Sequence, residues 1–399
     1  MGNAQSWSRI CSSAFSKPLS QLLAINWGMA GFVIVSLLLT AAASLWQFTF
    51  WFRVQHEQRK AMWWLYGIFT FFCFLGSLCG AISFFANAQV LAYFFKAYNS
   101  DRNITMSEQM TLLAASDYWA SVYYLFYAVD FFLLSTAKLL VLNRMLEFSL
   151  RTMTDSSVTL GHTRASLISK AVMAVVAVIN SIGVIGSVVT TVMNTQAADL
   201  YSSSAAAFAS GQNVTGQAYL QQASLKNDQA NQTASVQQFC EVLALVIIII
   251  SFTAAGFFCY LRLRTMANRM LSFTPAANQG QFLVSFQRLK RRIFGTVLAV
   301  FVAFLLRSVF AVMNAVAASG TNRGSDPSCG LCDGTCQSIS VLMYVWLGYT
   351  PEFQLSVVFV SSPLAILIAL WGMSDNHKFK KLHSTSLLSS ASNSLHLAK

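Results

Sequence analysis

Seven apolar runs, each long enough to cross a bilayer, constrain this chain more than any other feature of its sequence. A membrane-spanning helix needs about 20 predominantly apolar residues. Such runs occur at approximately 25–52, 61–85, 118–141, 171–193, 241–261, 293–318 and 353–373. Backbone groups in lipid must be satisfied within their own segment, so each run is expected to be helical, including the β-branched VLALVIIII of the fifth. A transmembrane barrel would instead need alternating segments of about ten residues. Charged residues make up only 10% of the 399, against about 25% in soluble domains. That excludes a soluble enzyme, a disordered tail, a coiled coil and a nucleic-acid-binding domain. The expected fold is all-α: a polytopic seven-transmembrane helix bundle over 25–373, after an N-terminal tail at 1–24 and before a Ser-rich tail at 374–399.

Lys and Arg in the connections predict the orientation. Basic residues gather between spans one and two (Arg53, Arg59, Lys60), after span three, after span five and in the C-terminal tail. The connection after span five holds Arg262, Arg264, Arg269, Arg288, Lys290, Arg291 and Arg292 with no acid. These segments are expected in the cytoplasm, which leaves the N-terminus outside and explains a net charge of +12 without nucleic acid. The glycosylation sequons at Asn103, Asn213 and Asn231 all fall in connections assigned to the outside. Met1-Gly-Asn-Ala-Gln-Ser fits N-myristoylation at Gly2, which would hold the N-terminus in the cytosol. The charge distribution outweighs that short pattern. The first 24 residues lack a compact apolar core, so no cleavable signal peptide is expected.

The outer connection 196–238 is dominated by Ala, Ser, Gln and Asn, and is expected to form no domain of its own. Cys329, Cys332 and Cys336 share the last outer connection, and Cys240 lies at the start of span five. On an oxidising face this set reads as disulfide candidates rather than a metal site. The second span is expected to continue towards Tyr98, and Gly183 and Gly186 of span four read as a close helix-packing face.

Chemistry inside the spans rests on few residues. All five histidines lie in segments assigned to the cytoplasm, and no HExxH pattern exists, so neither an enzyme nor a cofactor is expected. Ionisable residues at depth are the functional pointers. Asp130 and Arg307 fall near mid-depth and are candidates for an interhelical ion pair, against a protonated Asp130 bonded to Tyr or Ser or an Arg307 hydrated in a cavity. Lys138 is expected to snorkel inward, and Glu241 to sit solvated near the outer boundary. Tyr123, Tyr124 and Tyr127, with Glu241, are candidates for an outer pocket, against an interfacial belt or simple packing. Arg288, Lys290, Arg291 and Arg292 form a basic patch suited to anionic lipid or a cytosolic signalling protein.

Seven spans, an outer N-terminus, sequons outside, a basic third inner connection and a Ser-rich tail resemble the G-protein-coupled-receptor-type proteins. The resemblance is one of topology. Asn143-Arg144-Met145 stands where Asp-Arg-Tyr is usual in the rhodopsin-like group, and Ser362-Pro363 keeps only the proline of the span-seven motif. The stretch FFLLSTAKLLVLNRM is similar to the plant Tobamovirus-multiplication-protein group of seven-span proteins, too briefly to assign roles. The resemblance implies a receptor-like protein of the plasma membrane or secretory endomembranes that senses a small extracytosolic ligand and signals to a cytosolic partner. The alternatives are a transporter or channel for a small solute or ion, and a structural or trafficking membrane protein.

Overall fold

The structure, a computed structural model, describes residues 19–53, 66–98, 104–150, 159–273 and 301–316, together with isolated positions at 287, 291, 294, 295, 298 and 357. Among the described residues the fold is all-α. Five long helices follow one another: α1 (Leu19–Arg53), α2 (Tyr66–Tyr98), α3 (Met106–Leu150), α4 (Thr159–Ala209) and α5 (Asn213–Phe273). A shorter apolar helix, α6, covers Phe301–Val316. The five long helices are each apolar enough to cross a membrane. The seventh apolar run lies outside the described residues, apart from Val357.

Each long helix packs against the next in the chain, and α3 also packs against α5. Close approach between α2 and α3 depends on Gly76, because a Cβ there would stand 2.6 Å from Leu134 Cδ2. Lipid gives apolar helices no hydrophobic reason to associate, so small residues that admit a neighbouring helix carry much of the packing. The α4–α5 pair follows this rule over its whole length. On α4 the inward positions are Val176, Asn180, Gly183, Ser187, Thr190, Asn194, Ala197, Tyr201 and Ser204, alternating four and three residues apart. On α5, Ala230, Ala234, Gln237, Glu241, Ala244 and Ile248 repeat the same spacing. A sustained 3.5-residue repeat is the pattern of a left-handed coiled pair.

The opposite face of α4 exposes Val175, Val178, Ile182, Ile185, Val189 and Val192 as one stripe. It rises about 26 Å at about 1.5 Å per residue, close to a hydrocarbon core about 30 Å thick. Beyond Val192 the helix does not stop. α4 runs to Ala209 and α5 has 61 residues, so both project well past the stripe. The segment 196–238, expected to form no domain of its own, is a helical hairpin that continues α4 and α5 and packs on the first turns of α3. Its core joins Met110 and Ala114 to Ala197, Tyr201, Ala205 and Ala223. Alanine has the highest helix propensity, and both helices continue from membrane segments, so no new nucleus is required. At the tip, Gln212 N–H bonds to Ala207 O and Gly211 N–H to Phe208 O, with Gly211 at φ 75°. This is a Schellman cap, which needs the left-handed conformation glycine adopts freely.

The hairpin defines the sequon end of the bundle, shared by the start of α3 and the end of α2. Gln109 Nε2 donates to Ala97 O, Ser107 Oγ to Ala205 O, and the Tyr118 hydroxyl to Asp199. The arginine end carries Arg53, Lys170 and Arg264, all exposed.

Candidate functional site

Three helices meet around one buried cation. Arg307 on α6 donates from Nε to Glu241 Oε1 on α5 at 3.0 Å, and from Nη2 to the Tyr127 hydroxyl on α3 at 3.0 Å. Tyr127 in turn donates to Glu241, at 2.8 Å from Oε2 and 3.0 Å from Oε1. The ring is complete: the hydroxyl gives one hydrogen bond and accepts one, and both carboxylate oxygens are engaged. Glu241 is 3% exposed and Arg307 5%. The guanidinium carbon lies 5.3 Å from the Tyr127 ring centre and 5.9 Å from that of Phe131, so aromatic faces complete its shell. Hydrogen bonds between charged partners are the strong ones.

Register fixes the depth. Gly183 stands midway along the lipid-facing stripe of α4, and a Cβ on it would lie 3.6 Å from Cys240 Cβ. Glu241 therefore sits at mid-depth, not solvated near the boundary as its sequence position suggested. The error came from taking the start of the apolar run as the membrane edge, when α5 is already packed on α4 two turns earlier.

Below this level, towards the arginine end, Leu139, Val176, Ala244, Leu245 and Phe304 share one apolar cluster. One helical turn from these positions towards the sequon end stand Ser135, Asn180, Glu241 and Ser308. The hydroxyls of Ser135 and Ser308 and both amide atoms of Asn180 are buried without a hydrogen-bond partner. A polar layer thus crosses α3, α4, α5 and α6 at mid-depth. Asp130 lies just above it, 2% exposed, with Oδ1 also lacking a partner. Its carboxyl is seated against α2, where a Cβ on Gly80 would meet it at 3.3 Å.

The candidate ion pair between Asp130 and Arg307 is therefore made with a different acid. Arg307 bonds to Glu241, and Asp130 remains within its electrostatic reach. Lys138, expected to snorkel towards the inner surface, holds its ammonium 4.6 Å from the Phe304 ring centre on α6. Tyr123 packs against Tyr124 and Tyr127 at 5.2 and 5.5 Å between ring centres, which draws the outer-pocket candidates into one aromatic group, half-buried at Tyr123 and Tyr124 and buried at Tyr127, where it meets Glu241. Asn213 is exposed at the hairpin tip, whereas Asn231 is half-buried on α5. Cys240 is a free thiol beside Gly183. Gly2, Asn103, Cys329, Cys332, Cys336, Arg288, Lys290 and Arg292 lie outside the described residues, and Arg291 is exposed.

Sequence reasoning missed Gly80, Asn180 and Phe304. Gly76 and Gly80 form the small-xxx-small spacing of closely packed membrane helices, and an asparagine in an apolar run is itself a signal of an interior face. The arrangement is a set of two acids, Asp130 and Glu241, and two bases, Arg307 and Lys138, able to hold helices together or to hold and move a proton.

No protein-family model, curated protein or solved structure matches the chain. Fold and site together define a helical integral membrane protein with lipid-facing apolar helices and a buried ionic core.

Proposed function

We propose that this protein is a receptor-like transducer of seven spans, with the sequon end outside and the arginine end in the cytoplasm. In this reading α1 to α6 are followed by a seventh span over 353–373. Asn213 then faces the lumen while Arg53, Lys170 and Arg264 face the anionic leaflet, as the charge rule requires. The observation that carries the transducer reading is the unbroken α4–α5 seam. One heptad repeat runs from the hairpin tip through the bilayer, so a displacement outside is transmitted along rigid rods. The Tyr127–Glu241–Arg307 ring ties α3, α5 and α6 halfway, where a two-state element could be biased from either end.

The test needs no ligand. Spin labels on cysteines replacing Lys170 and Arg264 report the distance between α4 and α5 at the arginine end, while a cross-link between cysteines replacing Phe208 and Gly216, which face each other across the hairpin, clamps the tip. The expected result is a shifted or narrowed distance distribution on clamping. An unchanged distribution means that the two ends are uncoupled, and the transducer reading fails.

A further inference from the structure

Asp130 is the acid that the ionic ring leaves out. Its carboxyl is buried at mid-depth, walled by the backbone of α2 at Gly80, with Oδ1 unpartnered. An ionised carboxylate removed from water without a hydrogen-bonded counter-ion is far costlier than the neutral acid. Both nearby cations are engaged elsewhere: Arg307 with Glu241 and Tyr127, and Lys138 over the Phe304 ring. The titratable or charged groups facing Asp130 are Cys79 from α2, Tyr123 and Lys138 from its own helix, Glu241 from α5 and Arg307 from α6. Two acids therefore compete for one guanidinium, and a guanidinium keeps its charge in proteins.

We propose that Asp130 and Glu241 form a proton-binding site of two acids and one proton, in which the acid not bonded to Arg307 carries the proton. In the arrangement described, Asp130 is the neutral acid and Glu241 the anion. In the alternative, the guanidinium hydrogen bonds pass from Glu241 to Asp130. The O–H bond of Asp130 then breaks and an O–H bond forms on Glu241. Arg307 stays a cation throughout, so Asp130, Glu241 and Arg307 sum to zero in both states, and the exchange changes neither the net charge of the site nor that of Lys138 beside it. Such a pair titrates as a unit. This deepens the lock described above by giving it a proton as ligand. It rests on the site's mid-bilayer depth and not on transmission between the two ends.

Infrared spectroscopy of the full chain in lipid nanodiscs at neutral pH, with carboxyl-labelled aspartate, tests this directly. The wild type is expected to show a protonated aspartate C=O stretch that shifts with the label and with deuterium exchange. It should vanish in Asp130→Asn and persist in Asp117→Asn, which removes the other buried aspartate oxygen without a partner. In Glu241→Gln the guanidinium has only Asp130 as its anion, so the aspartate band should be lost there too. A wild type with no band assignable to Asp130, or a band that survives Glu241→Gln, overturns the proposal. Should either variant fail to fold, Arg307→Gln with labelled glutamate decides: without the cation a new protonated glutamate band is expected, and its absence overturns the proposal. The outcome is separable from the spin-label test, since the bands can appear as expected in a protein whose two ends move independently.

Discussion

Replacing Arg307 by Gln strips a buried carboxylate of its counter-ion and one hydroxyl of its donor. Breaking a buried pair by removing one partner costs about 3–5 kcal/mol, chiefly because the remaining charge is left uncompensated. The Tyr127 hydroxyl still donates to Glu241 in this variant, so the lower half of that range is expected. For a large domain each kcal/mol shifts the midpoint by roughly 2–4 °C, so Arg307→Gln should melt about 6–16 °C below wild type. Glu241→Gln leaves Arg307 charged but offers it Asp130 as a substitute, and should therefore cost less. The double variant Glu241→Gln with Arg307→Gln removes both charges and keeps hydrogen-bonding side chains. It should recover at least about 1 kcal/mol relative to the sum of the single losses. Thermal unfolding in detergent micelles, followed by tryptophan fluorescence, measures all four proteins. Strictly additive losses, or an Arg307→Gln midpoint equal to wild type, would show that the ring contributes nothing and refute the reasoning.

Tyr127→Phe keeps the aromatic packing but removes the hydroxyl that bridges acid and base, and should cost about 1–3 kcal/mol in the same melting assay. Asn180→Leu replaces a buried amide without partners by an apolar side chain of similar size, so stability should hold or rise by about 1 kcal/mol; a marked loss would mean that the amide is hydrogen-bonded after all. Gly211→Ala forces a Cβ into a left-handed conformation at φ 75°, costing roughly 1–2 kcal/mol; the loss should appear as faster hydrogen exchange confined to the hairpin tip. Asn213→Gln should abolish one glycan shift on a gel from a glycosylating host, and protease should reach the C-terminal tail only in opened, right-side-out cells; a tail cut in intact cells would invert the orientation.

The apolar runs made the membrane helices legible because hydropathy in lipid is a strong constraint on each segment separately. Where two environments meet on one helix, the same signal misleads. Residues 196–238 contain few large apolar side chains, yet Ala197, Ala223, Ala230 and Ala234 stand at seam spacing and are buried. A methyl group contributes little area, so composition alone reads such a segment as unable to form a core. Its helices are already nucleated in the membrane, and small residues let them approach closely. The ionic core was legible in its members and not in its pairing. Asp130 and Arg307 stood out as charges at equal depth, but depth was counted from the ends of apolar runs. Glu241 opens its run in sequence while lying beside the middle of α4 in space, a displacement that only the α4–α5 register reveals.

That register also explains why polar residues cluster where they do. A seam of small and polar residues passing from water into lipid meets opposite demands: outside, buried amides and hydroxyls compete with water, and inside, they have only one another. Ser204, Ser121 and Thr195, nearer the sequon end, each find a partner in the next helix. At mid-depth, Ser135, Asn180 and Ser308 do not. A sequence under selection for stability alone would fill those positions with Leu or Ile, since lipid-depth hydroxyls without partners add nothing to packing. Under the proposed exchange between Asp130 and Glu241, these groups would serve as spare donors and acceptors at the level where the guanidinium hydrogen bonds pass from one acid to the other. The Asn180→Leu variant separates the two demands. It should keep or raise the melting temperature while weakening the response of the arginine end to clamping at the hairpin tip, because a core with no spare hydrogen bonds favours one arrangement over the other.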